Sequence, residues 1–176
     1  MEKARAGDAP ADASWAMCTH AAVETQRVGE ALGVALRGDW AGLHAAAVLA
    51  LAGPLGSGKT CLVQGLARGL GLSGAVRSPT FTLIHEHRGP VPLSHVDLYR
   101  LEASELEGLG LEEIIDRPGV VAIEWAERAA GVLPPEHLLI EFAFGQGESD
   151  RCLRLIPWGP RYERCVAVLR ACVSWR

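Results

Sequence analysis

The chain has 176 residues, of which 49% are apolar and 22% charged, with a formal net charge of −4. That size and balance suit one folded domain with its own core and exclude a disordered segment. A mildly acidic chain is a poor stand-alone nucleic-acid binder, because phosphate neutralisation needs a concentrated positive face, and no apolar run approaches the roughly 20 residues that span a bilayer.

The first residues mix Glu2, Lys3, Arg5, Asp8 and Asp12 with Ala and Pro. They lack the unbroken apolar stretch of a secretory signal. Residues 1–17 read as a loose tail ahead of one domain over 18–176. Five cysteines stand at 18, 61, 152, 165 and 172, with no Cys-x-x-Cys pair. An odd number without that spacing predicts reduced thiols in a cytoplasm. The sequence has no Asn, and its only two lysines are Lys3 and Lys59. The chain uses Arg wherever a generic positive charge suffices, so Lys59 stands out before any motif is considered.

In chain order, Thr19 is a candidate N-cap for a helix toward residue 38. There Val28, Ala31, Leu32, Ala35 and Leu36 recur at helical spacing. Residues 45–52 (AAAVLALA) form a short apolar run suited to a strand buried on both faces. A glycine-rich turn over 53–60 leads into a helix over 60–72, with Leu62, Val63, Leu66 and Leu70 on one side. Strand, glycine turn and helix open a βαβ unit. Residues 77–86 combine a Ser-Pro turn with β-prone Phe81, Thr82, Leu83 and Ile84. Residues 93–99 predict a strand ending in polar residues. Ser104-Glu105-Leu106-Glu107 has capping-box spacing and opens a helix toward Asp116. Residues 120–125 (VVAIEW) predict a second buried strand, and Pro134-Pro135 breaks the chain before a strand over 138–144. Residues 151–158 alternate as an outer strand, and 162–173 close the chain as a helix. The sum is an α/β domain of the P-loop NTPase type, with three layers around a mixed, mainly parallel central sheet.

Gly53-Pro54-Leu55-Gly56-Ser57-Gly58-Lys59-Thr60 matches G-x-x-x-x-G-K-[ST]. Gly56 and Gly58 allow backbone angles closed to other residues and let amide N–H groups approach phosphate oxygens. The next helix turns its N-terminal partial charge to the same anion. Lys59 supplies a mobile charge for the outer phosphates, and Thr60 a hydroxyl for Mg²⁺. Hydrolysis needs a further carboxylate. Asp97 and Glu124 sit at predicted strand C-termini, where the ligand crevice of an open α/β sheet lies. Without Asn there is no guanine-reading motif, and Asp97-Leu98-Tyr99-Arg100 lacks the Gly of a GTPase switch. Adenine is therefore the expected base.

Five motifs now stand in order: the loop at 53–60, Ser78-Pro79-Thr80-Phe81-Thr82-Leu83, His95-Val96-Asp97-Leu98-Tyr99-Arg100-Leu101, Glu105-Leu106-Glu107 with Gly110, and Ile123-Glu124-Trp125. Together they resemble the bacterial TsaE (YjeE) family, over roughly residues 19–157. The resemblance implies a small, weak ATPase of tRNA threonylcarbamoyladenosine synthesis. It would work with TsaD and TsaB on ANN-decoding tRNAs, and its hydrolysis would reset that assembly. It further implies ATP and Mg²⁺ as cofactors, a cytoplasmic location, no membrane, a monomer when isolated, and contact with tRNA only through the complex. By the same resemblance, Lys59, Asp97 and Glu124 are catalytic, and Thr60 and Glu124 hold the metal. Leu55, Gly56, Ser57, Gly58, Lys59, Thr60, Cys61, Thr80, Trp125 and Arg151 bind the nucleotide, and the segment near Thr19 approaches adenine. Pro54, Ser57 and Cys61 depart from the family's usual acidic residue, Ala, and Thr or Ser.

Two alternatives stay open. A small-molecule kinase could use the same loop, with Arg77 or Arg88 as the nearest lid arginines. A binding module could use nucleotide only as a switch.

Overall fold

The computed structural model describes residues 13–38, 45–74, 76, 78–79, 82–101 and 103–172. Seven strands form one sheet: β1 (Trp15–Thr19), β2 (Ala47–Ala52), β3 (Ile84–His87), β4 (Leu93–Asp97), β5 (Val120–Glu124), β6 (His137–Phe144) and β7 (Arg151–Trp158). The helices are α1 (Ala22–Gly38), α2 (Lys59–Gly69), α3 (Leu111–Ile115) and α4 (Pro160–Cys172). Strand order is β1-β7-β6-β2-β5-β4-β3. The central pairs β6/β2, β2/β5 and β5/β4 are parallel, and β1/β7, β7/β6 and β4/β3 are antiparallel.

The apolar runs behave as doubly covered strands should. Every residue of β5 is buried, as are five of the six in β2. Leu49, Leu51, Val120 and Ala122 join α1, α2 and α4 in one cluster, and Val48, Ala50, Val121 and Ile123 join α3 in the other. The sheet is thus the middle of three layers. Tyr162 on α4 ties two layers together: its hydroxyl accepts the Val48 backbone N–H at 2.8 Å.

The first strand corrects the sequence reading. Trp15, Ala16 and Met17, which composition assigns to the tail, belong to β1. Met17 and Thr19 are buried while Ala16 and Cys18 face out, a period of two. Residues 1–12 lie outside the described residues. Thr19 is therefore a strand residue and not a helix cap. The backbone N–H of His20 instead donates to the Glu24 carboxylate at 2.7 Å as α1 begins. β7 lies inside the sheet, because β1 takes the edge beyond it. The expected helix over 104–116 is a 3-10 segment, Ala103–Leu109, and then the short α3, divided at Gly110 with φ 67°.

β1 also overturns the expectation of five reduced cysteines. Its antiparallel register sets Cys18 opposite Cys152, and the two form a disulfide, with Cα atoms 4.1 Å apart. Sequence spacing could not announce this, since the partners are 134 residues apart. Cys61 and Cys172 are free thiols, and of the two helix cysteines Cys165 and Cys172 only Cys165 is packed.

α1 and α2 run parallel and meet backbone to backbone. A Cβ built on Gly65 would lie 1.9 Å from the Gln26 carbonyl oxygen, and one on Gly69 2.1 Å from that of Glu30. On α1, a Cβ at Gly29 would lie 2.0 Å from the Leu62 oxygen, and one at Gly33 2.4 Å from that of Leu66. Glycine at four-residue spacing on both helices is what allows this approach. Among the described residues, no helix is long and apolar enough to cross a membrane.

Candidate functional site

β2 runs straight into the loop, and the loop into α2. Gly58 caps α2 with φ 100°, and Gly56 has φ 76°; both are left-handed angles that other L-residues avoid. Leu55 stands at the exposed tip, 67% accessible, whereas Ser57 is wholly buried. The Ser57 backbone N–H donates to the Pro54 carbonyl at 3.2 Å, and its Oγ is buried with no hydrogen-bond partner among the described residues.

The Lys59 side chain folds back under the loop. Its Nζ donates to the carbonyls of Gly53 at 2.7 Å and Pro54 at 2.9 Å, and lies 4.0 Å from the centre of the Trp125 ring. Burial lowers the ammonium pKa below its ordinary value, while the carboxylates of Glu124, Glu127 and Asp97 oppose that shift. Trp125 occupies a left-handed backbone angle, φ 60°, directly after β5. Such strain persists only where the surroundings impose it. Here Lys59 packs on one part of the ring, and Tyr99 lies 4.9 Å away, centre to centre.

Parallel pairing places both strand-end acids beside the loop. Asp97 and Glu124 are register partners at the C-termini of β4 and β5. Both are only 3% exposed. Thr60 Oγ1 donates to Glu124 Oε1 at 2.7 Å. Asp97 accepts the Ser78 hydroxyl at 3.1 Å and the Tyr99 backbone N–H at 3.0 Å. The loop from Leu55 through Cys61, Ser78, Asp97, Tyr99, Glu124 and Trp125 encloses a cleft of about 320 Å³.

A second recess of about 430 Å³ adjoins it, between the loop, the start of α1 and the turn before β7. Arg151 lines it. Its Nε donates to the Gly56 carbonyl at 3.3 Å, and its Nη1 to the carbonyls of Glu148 and Asp150, both at 2.9 Å. Cys61 belongs to both cavities. Its thiol donates to the Ala22 carbonyl at 3.2 Å, and burial raises its pKa. The α1 segment does reach the loop: a Cβ on Gly58 would lie 3.7 Å from Thr25 Cγ2. Thr80 and Arg77 lie outside the described residues.

Sequence reasoning passed over His95 as a site residue. It is fully buried, and its Nε2 lies 2.8 Å from Glu124 Oε1. The signal was present: on a strand, His95 is two residues before Asp97 and shares its face. Arg88 does not serve as a lid. It borders a cavity with Leu93 and Val120, at the end of the sheet opposite the loop.

The donor set suits Mg²⁺. Thr60 and Glu124 offer two hard oxygens 2.7 Å apart at the mouth of a loop built for phosphate, with the Asp97 carboxylate on the adjoining strand. In the same loop the Ser57 hydroxyl is a buried polar group without a partner among the described residues.

Known proteins resemble this chain in sequence and in fold. The profile of the family described as "Threonylcarbamoyl adenosine biosynthesis protein TsaE" matches residues 19–153. The chain is 46% identical over 123 residues to "tRNA threonylcarbamoyladenosine biosynthesis protein TsaE" of Nostoc sp., covering 66% of this chain and 74% of the relative. It is 44% identical over 117 residues to the protein of the same name in Bacillus subtilis, covering 66% and 73%. A crystal structure of YdiB from Bacillus subtilis superposes with a TM-score of 0.74 at 31% identity, over 90% of this chain and 95% of that one. A chain with this fold and phosphate loop, matched over 19–153, belongs to the TsaE family of tRNA threonylcarbamoyladenosine biosynthesis.

Proposed function

We propose that the chain binds ATP with Mg²⁺ and hydrolyses it as a subunit of the machinery that makes N6-threonylcarbamoyladenosine next to the anticodon of ANN-decoding tRNAs. Hydrolysis resets a partner assembly of TsaB and TsaD homologues, and tRNA is met through those partners. In isolation the chain is a weakly active monomer, and it works in the cytoplasm. The observation that carries this reading is the cleft in which Lys59 and Thr60 face two buried strand-end carboxylates, Asp97 and Glu124.

Each residue has a physical task. Gly56 and Gly58 shape the loop backbone around a phosphate, Ser57 would offer it the N–H that the Pro54 carbonyl now accepts, and Leu55 stands at the loop's tip. The Lys59 ammonium, held by two loop carbonyls, supplies the donors that phosphate oxygens would take over. Thr60 and Glu124 would hold Mg²⁺, which when bound offsets charge on the outer phosphates. Asp97 holds the Ser78 hydroxyl and the turn at Tyr99 at the cleft, and Thr80 is proposed as a nucleotide contact from the sequence alone. Trp125 and Arg151 border the nucleotide on opposite sides of the loop, and Cys61 lies between the two cavities.

The test is nucleotide binding and phosphate release by the purified chain, with and without TsaB–TsaD. The expected result is slow hydrolysis that the partners accelerate, lost by at least about 100-fold in Lys59→Ala and Glu124→Ala. Partner-stimulated hydrolysis surviving both substitutions would remove the site assignment. Transfer of the phosphoryl group to a metabolite rather than to water would favour the kinase reading instead.

A further inference from the structure

Among the described residues, His95 is a fully buried ionisable side chain that touches the cleft's carboxylates and that the proposed mechanism leaves without a task. It comes from the middle of β4, and its ring lies under the start of α2, on the side of the sheet that carries Glu124. Nε2 stands 2.8 Å from Glu124 Oε1. The same oxygen receives the Thr60 hydroxyl at 2.7 Å. One carboxylate oxygen is thus gripped from two directions, by the loop helix and by the neighbouring strand.

The other ring nitrogen sharpens the point. Nδ1 is buried with no hydrogen-bond partner among the described residues. Burying a polar atom unpaired costs stability, and an apolar residue of similar size would avoid that cost at this position. What an apolar residue cannot supply is the donor at Nε2. A carboxylate only accepts, so the hydrogen between the two belongs to Nε2.

We propose that His95 is the positioning residue for Glu124: its Nε2–H fixes the carboxylate so that Glu124 and Thr60 present their oxygens together to a divalent cation. The proposal rests on the reading that Thr60 and Glu124 hold Mg²⁺. It gives His95 the role that outer partners play for metal-binding carboxylates, whose loss typically weakens metal affinity 10–100-fold. His95 acts through Glu124 and touches neither nucleotide nor metal.

Two variants separate the donor from the bulk. His95→Gln keeps an N–H near the position of Nε2, and His95→Leu keeps the volume and removes the donor. A fluorescent ADP analogue is bound to each full-length protein and titrated with MgCl₂. The expected result is a Mg²⁺ half-saturation raised at least about 10-fold in His95→Leu and within about 3-fold of wild type in His95→Gln. Affinity for the analogue without metal stays unchanged in both. Equal behaviour of the two variants, whether both like wild type or both weakened, overturns the proposal. Should His95→Leu fail to fold, ¹⁵N imidazole spectra of the unmodified protein decide. They are expected to show a slowly exchanging proton on Nε2 of His95, whereas a bare Nε2 with the proton on Nδ1 overturns the proposal. If Mg²⁺ does not alter analogue binding by wild type at all, the metal reading fails, while the spectra still report the His95–Glu124 bond.

Discussion

Tyr162 shows how a single hydroxyl can matter as much as a core side chain. The Val48 backbone N–H lies in a central strand, fully buried, and its partner is the phenol oxygen. Tyr162→Phe strips that donor of its phenol acceptor while leaving the ring in place. The expected cost is about 1–3 kcal/mol in urea denaturation, and an unchanged midpoint would refute it. At the protein surface, His20 Nδ1 and Asp150 lie 2.9 Å apart. The hydrogen bond to the Asp150 carboxylate, then its charge, raises the His20 pKa; in return the His20 bond, then the Gly147 N–H, lowers that of Asp150. His20's contribution is present at low pH and fades as pH rises through its raised pKa. That of Asp150 is present at higher pH and fades as pH falls through its lowered one. The pair therefore operates between those two values, and in Asp150→Asn the His20 ring should titrate at lower pH by NMR. Of these residues, only the chemistry-bearing ones were legible beforehand. Lys59, Thr60, Asp97 and Glu124 follow from a motif and from strand ends. His95 needs the β4–β5 alignment to reveal its partner.

At the scale of elements, the apolar runs forecast β2 and β5 because burial on both faces leaves a plain compositional mark. β1 leaves none. It is only five residues long, follows an Ala-rich stretch, and is defined by a partner strand more than a hundred residues away. For the same reason the rank of β7 within the sheet was misread. The glycines of α1 and α2 were equally silent, since a periodic pattern records the side chains that face the core and not the places where side chains are missing. Gly65→Ala tests that contact. A methyl group 1.9 Å from a backbone oxygen cannot be absorbed by a rotamer change. Overpacking of this kind costs about 1–3 kcal/mol when side chains can yield, and here the helices themselves must separate. Thermal unfolding should therefore show a loss at the top of that range or beyond, with nucleotide affinity falling alongside it, while Gly108→Ala, in open space, should change little.

For the whole molecule, the Cys18–Cys152 bridge closes a chain segment of 134 residues and fastens the edge strand to its neighbour. In the chain-entropy account a closure of that length contributes at most about 5 kcal/mol. The strand pairing from Trp15 to Thr19 stands without it. Reductant is thus expected to lower the melting temperature by several degrees and leave nucleotide affinity within about 3-fold. The shift should vanish in the Cys18→Ser/Cys152→Ser protein; an identical shift there would mean that the bridge is not its source. Layer order and the position of the crevice were readable in advance because parallel strands, helices and a glycine turn constrain one another. Cross-chain covalent pairing was not, since nothing local encodes it.

The bare seam between the first two helices has a mechanical consequence. Side chains between helices act as cushions, able to hop between rotamers and absorb a push. At the glycine contacts backbone meets backbone with no such cushion, and the seam runs from the opening turns of both helices, where Thr25 meets Gly58 and the Cys61 thiol meets Ala22. The two helices are therefore expected to move as one unit, so that a displacement of α1 is carried to α2 and to Lys59 at its start.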